Sequence, residues 1–228
     1  GHTLYASRPT RDGAAVDETW DTRTGRRQAA LTRPTGTRLA LRPDGRLLVG
    51  DNRVTLLPAG RVRAVDLTQG EGVTGLAFTA DGSRLAVGDL SGRVALWDGD
   101  LRHRMGVLSD AFPGSPADSP ETIGALAMSP DGRTLAVAGD AGTLQLWDIE
   151  TRKPLGDPLP TPGEAIESLA FGSDNRTLYA SGAHVPLQRY VVDPDRMVRQ
   201  VCARVGTELP RALSPGIVPD TRYREACA

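Results

Sequence analysis

An all-β fold of repeated four-stranded antiparallel blades is predicted by three observations. A distance recurs: Gly82 lies 15 residues before Trp97, Gly132 lies 15 before Trp147, and Asn175 lies 15 before Tyr190. The surrounding text recurs with it, as TADGSRLAVGDLSGRVALWD at 79–98 and SPDGRTLAVAGDAGTLQLWD at 129–148, with looser copies at 172–192 and 42–60. Within each copy apolar residues alternate with a period of two on either side of an Asp-Gly pair, the pattern of half-buried strands around a turn. Self-similarity at about 40 to 50 residues is the mark of a propeller or a solenoid, in which no unit buries its apolar face alone.

Taken in order, the copies span about 1–31, 37–68, 73–109, 123–160 and 165–193. Each opens on a hairpin, with Asp44-Gly45, Asp81-Gly82 and Asp131-Gly132 supplying the positive-φ residues of a tight turn. A third strand ends on an aromatic at Trp20, Trp97, Trp147 or Tyr190, while Leu57-Pro58 stands at that place in the second copy. A fourth strand is read at 104–109 and 155–159. Residues 1–7 align with 132–138, so the first copy is expected to lack its innermost strand and the last its outermost. Such an array is an incomplete ring completed by an upstream segment, or a small ring in which flanking segments substitute.

After the last copy, Asp193-Pro194-Asp195 reads as a helix start, and Met197, Val198, Val201, Cys202 and Val205 follow at three-to-four spacing before Gly206. A helix and tail over 194–228, packed on the last blade, are expected. Cys202 and Cys227 are both in this tail, either as reduced thiols or as a bridge.

The Trp20-Asp21, Trp97-Asp98 and Trp147-Asp148 pairs, with the repeat spacing, resemble the WD-repeat β-propellers. The resemblance covers nearly all of residues 1–193 and implies a scaffold of radial blades that docks other proteins. Ser91 and Ala141 stand where that family usually has an Asp, which implies that apolar packing carries more of the stability here. The tail, through Cys202, Gly206, Leu209, Tyr223, Arg224 and Cys227, is similar to the ends of propeller regions in large regulatory proteins of high-GC bacteria. That likeness implies a sensing or docking module of a signalling protein. Lys153 as the only lysine beside abundant arginine fits such a bacterial origin.

A net charge of −1 argues against an electrostatic nucleic-acid binder and gives no membrane-surface signal. No apolar run approaches 18 residues, so neither a transmembrane helix nor a leader is read, and a cytoplasmic setting is expected. No nucleophile, phosphate-loop or metal motif stands out, His2, His103 and His184 are dispersed over different copies, and no cofactor is expected.

Partner-binding candidates are therefore sought in loops. Gly-Asp recurs after the second strand at Asp51, Asp89 and Asp140, carboxylates that either ring one face toward a cation or basic partner or cap their own turns. Arg53, Arg93 and His184 accompany them. The Pro/Ser-rich segment 110–121 presents Phe112 as its large apolar residue, a recognition loop or mere slack. As slack, 112–119 would be removable without loss of thermal stability. The function expected is a non-catalytic interaction scaffold that binds another protein or another domain of its parent chain. The competing class, a ligand- or metal-binding enzymatic propeller, would place its site over the central channel.

Overall fold

The computed structural model describes residues 2–9, 11, 15–30, 38–113, 120–184 and 186–193. Among these residues the regular structure is entirely β. Five antiparallel sheets follow one another in chain order: β1 (Thr3–Pro9), β2 (Ala15–Asp21) and β3 (Arg26–Ala30); β4 (Leu39–Leu41), β5 (Leu47–Gly50), β6 (Arg53–Leu56) and β7 (Arg61–Ala64); β8 (Val73–Phe78), β9 (Arg84–Asp89), β10 (Val94–Asp98) and β11 (Arg104–Leu108); β12 (Ile123–Met128), β13 (Thr134–Gly139), β14 (Leu144–Asp148) and β15 (Lys153–Pro154); β16 (Ser168–Phe171), β17 (Thr177–Ser181) and β18 (Gln188–Val191). Within every sheet the spatial order is the sequence order, so each is a meander joined by short turns. The fold is a β-propeller array of four-stranded antiparallel blades, numbered 1 to 5 below. Blades 1 and 5 show three strands among the described residues. The predicted tail helix, Cys202 and Cys227 lie outside the described residues.

Inner strands of successive blades pack side by side, with β8 and β16 flanking β12 and β4 beside β8. The apolar residues of facing blades meet between them. One core joins blades 2 and 3 through Leu47, Val49, Val54, Leu67, Leu85 and Val87. A second joins blades 3 and 4 through Val94, Leu108, Phe112, Ile123, Leu135 and Trp147, and a third joins blades 4 and 5 through Ala136, Leu144, Ile166 and Leu178. A blade is thus an uncompleted core that its neighbours complete, which is why the repeat must be iterated to be stable.

The turn between first and second strands is built the same way in blades 2 to 5. Gly45, Gly82 and Gly132 take φ of 73°, 71° and 70°, and Asn175 takes 55° at the matching place in blade 5. Asparagine tolerates this left-handed region better than most side chains, so the degenerate copy keeps the turn. The aspartate of each Asp-Gly pair does not share the positive φ, which corrects the two-residue turn expected from the sequence. Its carboxylate caps the turn instead: Asp81 Oδ1 accepts from Thr79 Oγ1 at 2.6 Å and Ser83 N at 2.9 Å, and Asp131 Oδ1 accepts from Ser129 Oγ at 2.6 Å and Arg133 N at 3.1 Å.

Strand register revises one assignment. Leu85 pairs with Trp97, Leu135 with Trp147 and Leu178 with Tyr190, each on a second strand four residues after the turn aspartate. In blade 2 the residue so placed is Leu48, and it pairs with Thr55. Thr55-Leu56, not Leu57-Pro58, therefore stands where the other blades carry their aromatic pair. The shift arises because blade 2 closes β5 to β6 directly, Gly50 pairing with Arg53, where blade 3 inserts a longer loop between Gly88 and Val94.

The third-strand aromatics tie blades together by hydrogen bonds as well as by packing. Trp97 Nε1 donates to Leu67 O at 3.1 Å, Trp147 Nε1 donates to Ala111 O at 3.1 Å, and Tyr190 OH donates to Pro160 O at 3.0 Å. Each acceptor lies in the connection that enters the aromatic's own blade. The expectation that apolar packing carries the stability is thus supplemented by a polar staple repeated in blades 3, 4 and 5. The aspartate after each Trp caps the next turn: Asp98 Oδ1 accepts from Arg102 N at 2.7 Å, and Asp148 Oδ1 accepts from Thr151 N at 2.6 Å.

Candidate interaction surface

Turns between second and third strands gather at one end of the blades together with the connections that enter each inner strand. Asp51, Arg53, Asp89, Arg93, Asp140 and His184 all belong to that end, as does Phe112. They differ in what they are free to do.

Asp89 is 3% exposed and sits at the last position of β9, paired with Val73. Its Oδ1 accepts from Ser91 N at 2.9 Å, Ser91 Oγ at 2.8 Å and Arg93 N at 3.0 Å, while Oδ2 meets Arg93 Nε at 3.1 Å. Its carboxylate is wholly engaged in its own turn, and Arg93 is its counter-ion. For Asp89 this is the turn-capping role that the sequence reading gave as the alternative to partner binding, and Arg93 is occupied by the same carboxylate.

Asp140 is not the equivalent of Asp89. The pairing Ile123 to Gly139 in blade 4 matches Val73 to Asp89 in blade 3, which places Gly139 at the Asp89 position and Asp140 one residue beyond. Asp140 is exposed and its Oδ1 accepts from Thr122 N at 3.0 Å, fastening the entry of β12. Asp51, with φ of 46°, accepts from Arg38 N at 3.3 Å at the entry of β4. Asp51 and Asp140 thus share a task that Asp89 does not, and the three carboxylates do not sit at matching positions.

The residue that performs the Asp89 task in blade 4 comes from elsewhere in the chain. Glu121 is buried, and its Oε1 accepts from Ala141 N and Thr143 N, both at 3.0 Å. These amides correspond to Ser91 N and Arg93 N. Gly139 makes room, since a Cβ there would lie 2.0 Å from Glu121 Oε1. Sequence reasoning missed Glu121, which closes the Pro/Ser-rich segment and carries no local pattern. The one available signal was a glycine where the preceding blade has its capping aspartate.

Phe112 is 2% exposed and belongs to the core between blades 3 and 4, in the same cluster as Leu108, Ile123 and Trp147. The structure thus places this candidate anchor as a packing residue between blades. The notion that 112–119 is removable slack fails at its first position, because Phe112 fills that core and the preceding Ala111 O receives the Trp147 indole. Residues 114–119 lie outside the described residues. His184 is exposed, on the loop between β17 and β18. Leu90, 53% exposed, and Leu187, 72% exposed, add apolar surface to the same end.

The opposite end of the blades carries the electrostatic extremes. Asp81 is held down at about 2 by the Thr79 hydroxyl first, then by the Ser83 amide and hydroxyl. Asp131 is lowered by the Ser129 hydroxyl against the cost of partial burial, and Asp148 by the Thr151 amide and hydroxyl. These shifts follow from capping hydrogen bonds to the ionised form. Among the described residues no group of three or more His, Cys, Asp and Glu is placed to hold a metal ion, and no helix is long and apolar enough to cross a membrane.

Comparison with known proteins agrees with this geometry. No curated protein matches the chain. Residues 63–98 and 109–148 match the family model described as WD domain, G-beta repeat. The first matched stretch contains both Leu67 and Trp97 and the second both Ala111 and Trp147, so each holds the two ends of one indole staple. Repeat matches and blade geometry together support a WD-repeat propeller.

Proposed function

We propose that the chain is a non-catalytic interaction module that docks another protein, or another domain of its own polypeptide, on the end formed by the second-to-third strand turns and the blade connections. The observation that carries this reading is the division of labour at that end. Asp89 and Glu121 are buried in backbone capping and make the turns rigid, while Leu90, Asp140, His184 and Leu187 remain exposed on them. A preformed surface of exposed side chains on stiff turns is suited to recognition, because little conformational freedom is lost on binding. The WD-repeat matches favour the same use. A role as the docking end of a cytoplasmic bacterial signalling protein is part of this proposal, supported by the likeness of the tail. The β1 edge, hydrogen-bonded on one side among the described residues, offers a place for a further strand to complete blade 1.

The test introduces charge at the exposed apolar pair. L90D/L187D should leave the melting temperature within about 2 °C, as expected for surface positions, and abolish binding of partners that the native chain captures. Retention of every partner by L90D/L187D, with loss on substitution at the opposite end, would move the docking surface there.

A further inference from the structure

At the end opposite the docking surface, grooves run between the first turns of neighbouring blades, and three of them can be compared position by position. Register makes Arg42, Thr79 and Ser129 equivalent, since each follows the residue paired with the conserved leucine of the next strand. Asp44 then corresponds to Asp81, and Asp100 to Glu150, which lie three residues after Trp97 and Trp147.

Between blades 2 and 3 the groove is filled from within. Arg42, its side chain 17% exposed, crosses over Gly82 with its guanidinium between two carboxylates: Nε and Nη2 reach Asp44 at 2.9 and 2.8 Å, and Nη1 reaches Asp100 Oδ1 at 2.7 Å and Gly99 O at 3.2 Å. Between blades 4 and 5 the gap is bridged by Asn175, whose Oδ1 accepts from Asp131 N at 2.9 Å. Between blades 3 and 4 neither device is present. Thr79 stands where Arg42 does, its hydroxyl turned back to Asp81, and a cavity of about 340 Å³ is left. The counterparts of the Arg42 partners line it: Asp81, Ile149 and Glu150. Asp131 and Asp148 add carboxylates, while Arg84 and Arg133 contribute the positive charges, leaving two negative charges in excess. Asp81 uses Oδ1 for its turn, and Glu150 makes no ion pair among the described residues.

We propose that the groove between blades 3 and 4 is a binding site for an arginine side chain of a basic protein segment, its guanidinium seated between Asp81 and Glu150 as that of Arg42 is between Asp44 and Asp100. The chain thereby supplies its own template for the occupant. A planar fork of several donors suits two carboxylates and a carbonyl, where a lysine ammonium would satisfy fewer of them. The site rests on the reading of the chain as a docking module but uses the end remote from Leu90 and Leu187.

Titration of the isotopically labelled chain with acetyl-Gly-Arg-Gly-amide, followed by backbone amide shifts, tests it. Shifts should centre on Asp81, Gly132 and Glu150, saturate in the millimolar range, and weaken at high salt. Acetyl-Gly-Lys-Gly-amide should bind several-fold more weakly. E150Q should lower affinity about threefold, the scale of one exposed ion pair. R42A should open the groove between blades 2 and 3 and add a second set of shifts at Gly82 and Asp100. T79R, which installs an internal occupant, should abolish the response of the native groove, and it reads the proposal even if R42A fails to fold. Absence of shifts, shifts centred elsewhere, or an unaltered response in both E150Q and T79R would overturn the assignment. Each of these results can occur with partner capture through Leu90 and Leu187 intact, so this proposal and the docking surface fail separately.

Discussion

At the scale of single residues, the same turn is stabilised by different side chains in neighbouring blades, and the substitution is exchangeable in principle. Glu121 accepts from two part-buried amides, so E121A should cost about 1–3 kcal/mol, measured by denaturant unfolding. G139D in that background rebuilds the Asp89 arrangement and should recover much of the loss. G139D alone places its Cβ against Glu121 and should destabilise, so the two changes should be strongly non-additive. Additive effects would mean that Glu121 and Asp89 do not play the same part. Thr55 gives a second case, because its hydroxyl is buried without a hydrogen-bond partner at the place where other blades carry an aromatic. T55V keeps the shape and removes the orphaned group, and a gain of up to about 1 kcal/mol is expected. Asp81 fixes a pH dependence. Its carboxyl is lowered from 3.8 to about 2 on folding, so its contribution is present above pH 4 and is lost as the pH falls from there through 2. D81N should therefore lower stability at pH 7 and flatten the acid limb of the stability profile between pH 4 and 2; a parallel acid limb would show that the capping bonds do not form.

At the scale of the element, the recurring unit is better defined by its staple than by its letters. Trp147 Nε1 and Ala111 O are buried together, so W147F removes a hydrogen bond, strands a carbonyl and empties part of the core between blades 3 and 4. A loss of about 2–4 kcal/mol is expected from those combined effects. Y190F removes the hydroxyl's exposed bond to Pro160 O and its contact with Gln188 but keeps the ring, so it should cost less than W147F, about 1 kcal/mol. A loss from Y190F as large as that from W147F in thermal denaturation would argue that the hydrogen bond, and not burial and packing, sets the effect. The same unit shows what the sequence made legible. Strand order, the first turn and the Trp-Asp pairs were readable because each depends on residues adjacent in the chain. Asn175 was placed correctly by spacing, since a left-handed residue is needed at that point whatever its side chain. Thr55-Leu56 was not readable, because shortening of the preceding turn moves the third strand in register without leaving a mark in the letters. Gly88-Asp89 and Gly139-Asp140 read alike yet differ by one residue in register, and one residue turns a side chain to the other face of a sheet. Glu121 was missed and Phe112 taken for a loop residue for a common reason: the segment around them has the composition of a loop, while their partners lie in the turn between β13 and β14 and in the core.

At the scale of the whole molecule, stability is a property of the seams between blades and is unequally distributed along the array. Every buried apolar side chain among the described residues lies at or after Leu47, and all but Leu48 belong to the cores between blades 2 and 3, 3 and 4, and 4 and 5. Blade 1 contributes none. Its β3 is exposed throughout, Leu4 is exposed, and its buried side chains are polar: Asp17, Thr19 and Glu18, the last paired with Arg8 and Arg27. Salt bridges with such exposed arginines contribute little, and repeat arrays gain most of their stability from interfaces between neighbours. Blade 1 should therefore open sub-globally before the rest, whereas β9 and β13, each in the middle of two buried seams, should open last. Native-state hydrogen exchange measures this directly: amides of β1 and β2 should exchange with opening free energies well below those of β9 and β13. Any strand added to the β1 edge, from the same polypeptide or from a partner, should raise protection in blade 1 selectively, because a ligand that binds one local state stabilises only the opening that exposes its site. Uniform protection across all five sheets in the isolated chain would show instead that the array unfolds as one unit and that blade 1 draws stability from contacts other than the apolar seams.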